Sequence, residues 1–120
     1  MQCIYQTRVM NSGKMVAVLL VERMIILFKD NAPEELADYC ILHNENQLSD
    51  IIQEQDVLVI GDTEYKIRYV GEEVQRNLEN LGHITLRFDG STEGLGGSIY
   101  LEDKAVPQIH IGDRIAIYRK

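Results

Sequence analysis

Short apolar runs separated by turn residues dominate the chain, a pattern of many short strands rather than long helices. Residues 3–9 read as a strand. Residues 24–28 form a continuous aliphatic run and predict a buried strand. Residues 15–21 stay open between strand and helix, because Val16, Leu19 and Leu20 also fit helical spacing. Pro33 stands ahead of Glu34 and Glu35, acids that favour a helix N-terminus, so a short helix to about Asp38 is expected. Residues 39–43 then look extended. Residues 57–60 and 63–70 predict two strands joined by a tight turn at Gly61-Asp62. Val74, Leu78 and Leu81 fit one face of a helix, with Gly82 as its natural stop. Residues 83–88 alternate: Ile84, Leu86 and Phe88 take one face, His83, Thr85 and Arg87 the other. Residues 90–98 hold four of the nine glycines and predict a flexible loop. Residues 99–101 and 114–118 predict the last strands, the second introduced by Gly112-Asp113.

The sum is seven or eight short strands and two or three short helices, which predicts an all-β, mostly antiparallel barrel or sandwich with helical connections. A length of 120 residues suits one domain, residues 1–120. At this mass about 20,000 Å² of unfolded surface shrinks to about 6,600 Å² on folding. That burial supports a core without disulfides or a structural metal. Cys3 and Cys40 are far apart and form no CxxC pair, so a reduced, cytoplasmic compartment is the default expectation.

Charge narrows the choice of partners. The net charge is −7, from 12 Lys and Arg against 19 Asp and Glu. Nucleic acid binding and polybasic membrane anchoring need a basic face and are disfavoured. The most apolar stretch, residues 15–28, is cut by Glu22-Arg23 into runs of seven and five residues, too short to span a bilayer. The excess is local: residues 30–65 carry ten acids and no Lys or Arg. Such a block is either solvated turn surface or a docking surface for a basic partner.

Candidate chemistry is sparse. There is no P-loop, GxGxxG, HExxH or GxSxG pattern. The spacing of His43, His83 and His110 suggests no zinc site, and no cofactor is implied. A Cys40–His43 nucleophile pair fails if the segment is a strand, because positions three apart face opposite sides. Cys40 is read as a small core residue and His110 as a surface residue. His43 is either an ordinary half-buried histidine or a nucleophile, since a largely neutral imidazole offers a lone pair near pH 7. His83, Thr85 and Arg87 form either a solvated strand face or an anion-binding one, with Arg87 suited to phosphate oxygens.

Several stretches together resemble the glucitol/sorbitol-specific enzyme IIA of the phosphoenolpyruvate-dependent sugar phosphotransferase system. They are Ile4-Tyr5-Gln6-Thr7, the strand over 24–28, APEELADYCILH over 32–43, LGHITLRFDG over 81–90, and the tail over 97–118 with Val106-Pro107 and Gly112. The resemblance implies a small, mostly β, barrel-like domain. It implies that a phosphoryl group is accepted from the histidine-containing phosphocarrier protein. The group would then pass to the enzyme IIB part of a hexitol permease, whose IIB and IIC components are the implied partners. The phosphorylated histidine of the family falls on His43, and His83 matches the histidine of the second motif. Some members carry another histidine two residues after the active one, where this chain has Glu45. The 11–21 region matches weakly. The same residues leave room for two other roles: an adaptor binding a protein through its acidic face, or a phosphorylation-state sensor acting on a regulator.

Overall fold

The computed structural model describes residues 1–92 and 94–120. Among the described residues nine strands and three helices follow one another. They are β1 (Gln2–Ser12), α1 (Val16–Val21), β2 (Met24–Lys29), α2 (Glu34–Ala37), β3 (Cys40–His43), β4 (Gln47–Leu48), β5 (Val57–Ile60), β6 (Thr63–Val70), α3 (Val74–Leu81), β7 (Ile84–Arg87), β8 (Ser98–Leu101) and β9 (Arg114–Arg119). The open segment at 15–21 is therefore helical. The helix leaves Val18 and Val21 exposed and buries Val16, as its short amphipathic spacing allows.

One sheet contains every strand, in the order β3-β2-β7-β8-β6-β5-β9-β1-β4. A further β1–β3 pairing joins the first strand of that order to the eighth, so the sheet closes into a ring. Most pairings are antiparallel, as expected. The β2–β3 and β7–β8 pairs are parallel, which local pattern did not foresee. Closure leaves no long free edge among these strands, and β4 adds a short pairing to β1 at Tyr5 and Gln6. Residue 93 of the expected 90–98 loop lies outside the described residues, and Ser98 opens β8 instead of closing that loop.

Alternation sends one face of each strand into the ring. The core gathers Ile4, Tyr5 and Val9 of β1, Ile25 and Leu27 of β2, Ile84 and Leu86 of β7, and Ile115 and Ile117 of β9, with Leu78 of α3. The accessible surface is 6559 Å², in line with the scaling value expected from mass.

Two polar side chains share the inward faces with this apolar set. Thr7 and His43 are both fully buried. They meet because β3 and β4 occupy the same edge of β1, with Val9 paired to His43 and Gln6 to Gln47. Between those pairings the chain turns through Asn44, Glu45 and Asn46, and Asn46 adopts a left-handed φ of 43°. A gap in the ladder opens opposite Thr7.

Candidate functional site

The His43 ring is held against the Thr7 side chain. Its Nε2 lies 2.7 Å from the Gly82 carbonyl and its Nδ1 lies 2.7 Å from Thr7 Oγ1. A carbonyl oxygen only accepts, so Nε2 carries the proton. Nδ1 then holds the lone pair and accepts from the Thr7 hydroxyl. The backbone N–H of Asn46 donates to Thr7 Oγ1 at 3.0 Å, which leaves the hydroxyl proton free to point at Nδ1. Asn46 is itself pinned: its Nδ2 donates to the Leu78 carbonyl at 2.9 Å and its Oδ1 accepts from Tyr5 Oη at 2.8 Å. In the neutral form, which burial favours, the ring thus has a fixed tautomer. Burial pushes the His43 pKa below the ordinary histidine value. The Gly82 hydrogen bond and Asp30 oppose that shift, and the Lys29 charge adds to it.

Gly82 makes this arrangement possible. It ends α3 with φ +62°, a left-handed cap that glycine adopts without strain. A Cβ there would sit 2.9 Å from His43 Cε1 and 2.4 Å from Lys29 Cγ. The missing side chain therefore lets imidazole, lysine stem and turn converge. Lys29 and His43 are register partners on adjacent parallel strands, so they share the inward face at the rim of the ring.

The other anticipated residues lie elsewhere. His83, Thr85 and Arg87 alternate with buried Ile84, Leu86 and Phe88, and so stand on the outer face. Phe28 stacks on His83 with ring centroids 4.5 Å apart, and His83 Nδ1 donates to the Leu27 carbonyl at 3.2 Å. Arg87 Nε reaches Ser98 Oγ at 3.4 Å. None of the three hydrogen-bonds to His43, so the anion-binding face expected of them is not the face on which His43 lies. Cys40 is buried, its thiol donating to the Leu36 carbonyl at 3.1 Å, and burial pushes its pKa up to about 11. His110 is exposed, 3.5 Å from Asp113. Among the described residues no cluster of His, Cys, Asp or Glu could hold a metal ion.

Thr7, Asn46, Gly82 and Lys29 carry no motif of their own. Their signals were faint but physical. Thr7 is a polar residue between the apolar Tyr5 and Val9 of one strand face, and Lys29 ends an otherwise aliphatic strand. A groove of about 690 Å³ lies between α1 and residues 106–110, lined by Val16, Leu20, Ile25 and Ile41 among others. It shares no lining residue with the surroundings of His43.

Comparison with known proteins gives this geometry its family. The sequence profile of the PTS system glucitol/sorbitol-specific IIA component matches residues 4–116. The chain belongs to that family. The glucitol/sorbitol-specific EIIA components of Shigella flexneri and Escherichia coli K12 are each 36% identical to it over 93 residues, 78% of this chain and 76% of theirs. The crystal structure of a PTS system IIA component from Enterococcus faecalis V583 superposes with a TM-score of 0.83 at 33% identity. That match covers 95% of this chain and 99% of the other. The ring of strands is therefore a IIA fold. Membership also makes the chain a component of a sugar phosphotransferase system. No helix among the described residues is long and apolar enough to cross a membrane.

Proposed function

We infer that this IIA component is a cytoplasmic phosphocarrier in which His43 accepts a phosphoryl group from the histidine-containing phosphocarrier protein. It then hands the group to enzyme IIB for uptake of glucitol or a related hexitol. The observation that carries the reading is the neutral imidazole of fixed tautomer at the end of the APEELADYCILH stretch. Phosphoryl transfer asks a protein for positioning and charge stabilisation, and a ring held at both nitrogens supplies the first.

The two hydrogen bonds of His43 are chemically unequal. The Gly82 carbonyl supports only the Nε2–H form. The Thr7 hydroxyl supports either form, because it can donate to Nδ1 or accept from Nδ1–H. Nε2 points at the turn beside half-exposed Lys29, whereas Nδ1 points at a fully buried threonine. A partner that shifts the Gly82 turn would allow the proton to reside on Nδ1, held by Thr7. Nε2 would then present its lone pair. The new N–P bond forms there as the donor's N–P bond breaks, and that bond's electron pair returns to the donor ring.

Full burial of His43 favours a second reading, in which the ring is a structural pin and the chain is an adaptor or sensor without phosphoryl transfer. One experiment separates the two. Incubation with phosphoenolpyruvate and the two general phosphotransferase proteins should add one acid-labile phosphate to the intact mass, mapped to His43. It should be absent from His43→Ala. Label persisting in His43→Ala would remove the assignment, and no gain in the wild type would favour the adaptor.

A further inference from the structure

Placing a phosphoryl group on His43 brings about two negative charges into a site where both hydrogen-bonding partners of the ring are neutral, a carbonyl and a hydroxyl. An uncompensated charge there would be costly, so a cation is required. Arg87, the residue favoured by sequence, lies on the outer face. Arg8 is committed to Glu45 at 3.3 Å and to the Gly112 carbonyl at 2.9 Å.

Lys29 remains. It is the register partner of His43, and both point inward at the rim. Its Cγ and Cδ, with His43 Cε1, crowd the same point beside Gly82: a Cβ there would lie 2.4, 3.1 and 2.9 Å from them. The stem therefore passes beside the imidazole at Gly82, and two further bonds separate Cδ from the ammonium. Among the described residues Lys29 makes no ion pair. It is only half-buried, so an incoming group can reach it. The charge is already felt at the ring, where it disfavours protonation.

We propose that Lys29 is a phosphoryl-binding residue, whose ammonium pairs with the phosphoryl oxygens as the group arrives on His43. This rests on the phosphocarrier reading. Gly82 then has a double purpose: its lack of a side chain also leaves room for the lysine stem beside the imidazole. Burial does most to hold the His43 pKa low, and a resting Lys29 adds to it, so one charge serves before and after transfer.

The test compares wild type, Lys29→Met and Lys29→Arg. Methionine keeps most of the stem's packing and removes the charge. Single-turnover transfer from the phosphorylated donor should slow about tenfold or more in Lys29→Met and recover largely in Lys29→Arg. Loss of the charge should also raise the His43 pKa, followed by NMR of the ring protons, and slowed transfer without that rise would point to lost packing rather than lost charge. If wild type is phosphorylated and Lys29→Met matches its rate, Lys29 has no such role and the carrier reading stands. If wild type takes up no phosphate, the carrier reading fails and the role falls with it. Should Lys29→Met fail to fold, Lys29→Gln serves in its place and Lys29→Arg keeps the comparison of fold. A rate for Lys29→Arg as low as that of a folded neutral variant would count against charge pairing in this geometry.

Discussion

At the scale of the residue, the burial of His43 has a consequence that does not depend on catalysis. Its folded-state pKa is depressed mainly by desolvation, while in the unfolded chain it titrates near the ordinary value of about 6.5. As pH falls through that value, the unfolded chain takes up a proton that the folded chain refuses. The unfolded state binds more protons in this window, so stability falls with falling pH. The loss begins near the unfolded value and is complete only below the folded one. Urea midpoints of wild type and His43→Gln, measured from about pH 8 to about pH 5, should therefore converge as the pH drops, because glutamine has no such proton to refuse. The carboxylates titrate in both proteins and cancel from the difference. A gap that stays constant across the range would show that His43 gains its proton as readily folded as unfolded.

At the scale of the element, α3 and the turn after it hold the site together. Leu78 anchors the helix in the core, its carbonyl holds Asn46, and Gly82 closes the helix and bonds His43. Gly82→Ala sets a Cβ against Lys29 and His43 at a positive φ. Holding a non-glycine residue in that region costs about 1–3 kcal/mol, and relief of the contacts must displace the turn or the ring. The urea midpoint should fall with the slope unchanged, and the His43 ring resonances should shift. An alanine variant as stable as wild type would mean that the turn relaxes freely and does not fix the imidazole. The same turn marks what was readable in advance. Alternation exposed β7, the apolar run exposed β2, and helical spacing exposed α3 with Gly82 as its stop, because each is local. The Gln47–Leu48 strand has too few residues to alternate. The parallel β2–β3 and β7–β8 pairs depend on ring closure, which no local pattern encodes. For the site, motif resemblance reached His43. Strand alternation correctly put His83, Thr85 and Arg87 on one face, but only the ring shows that His43 points to the other. Thr7 and Lys29 are far from His43 in sequence and become its neighbours through strand register alone.

At the scale of the whole molecule, folding redistributes the acidic block. Of its ten acids, Asp38, Glu45, Asp50, Asp56 and Glu64 find ion-pair partners: Lys14, Arg8, Arg119 and Lys120, all from outside the block. Asp56 is buried, and Arg119 grips both of its carboxylate oxygens at 3.0 and 3.1 Å. That pair is a clamp between the chain end and the segment before β5 rather than a docking charge. Asp30, Glu34, Glu35, Glu54 and Asp62 stay exposed and, among the described residues, without an ion pair. Three of these, Asp30, Glu34 and Glu35, fall between Lys29 and the end of α2, next to the strand that carries His43. A steering role is thereby confined to one small patch, with Glu54 and Asp62 as controls elsewhere in the sequence. Charge-steered encounter weakens with salt, since the Debye length shrinks from about 10 Å at 0.1 M to about 3 Å at 1 M. The second-order rate of transfer from a basic-faced phosphocarrier should therefore fall over that range. Neutralising the patch as Asp30→Asn, Glu34→Gln and Glu35→Gln should lower the low-salt rate and flatten its salt dependence. Glu54→Gln with Asp62→Asn should leave the salt slope nearly as in wild type. Equal slopes for the two sets would return the acidic block to ordinary solvated surface, whatever the fate of His43.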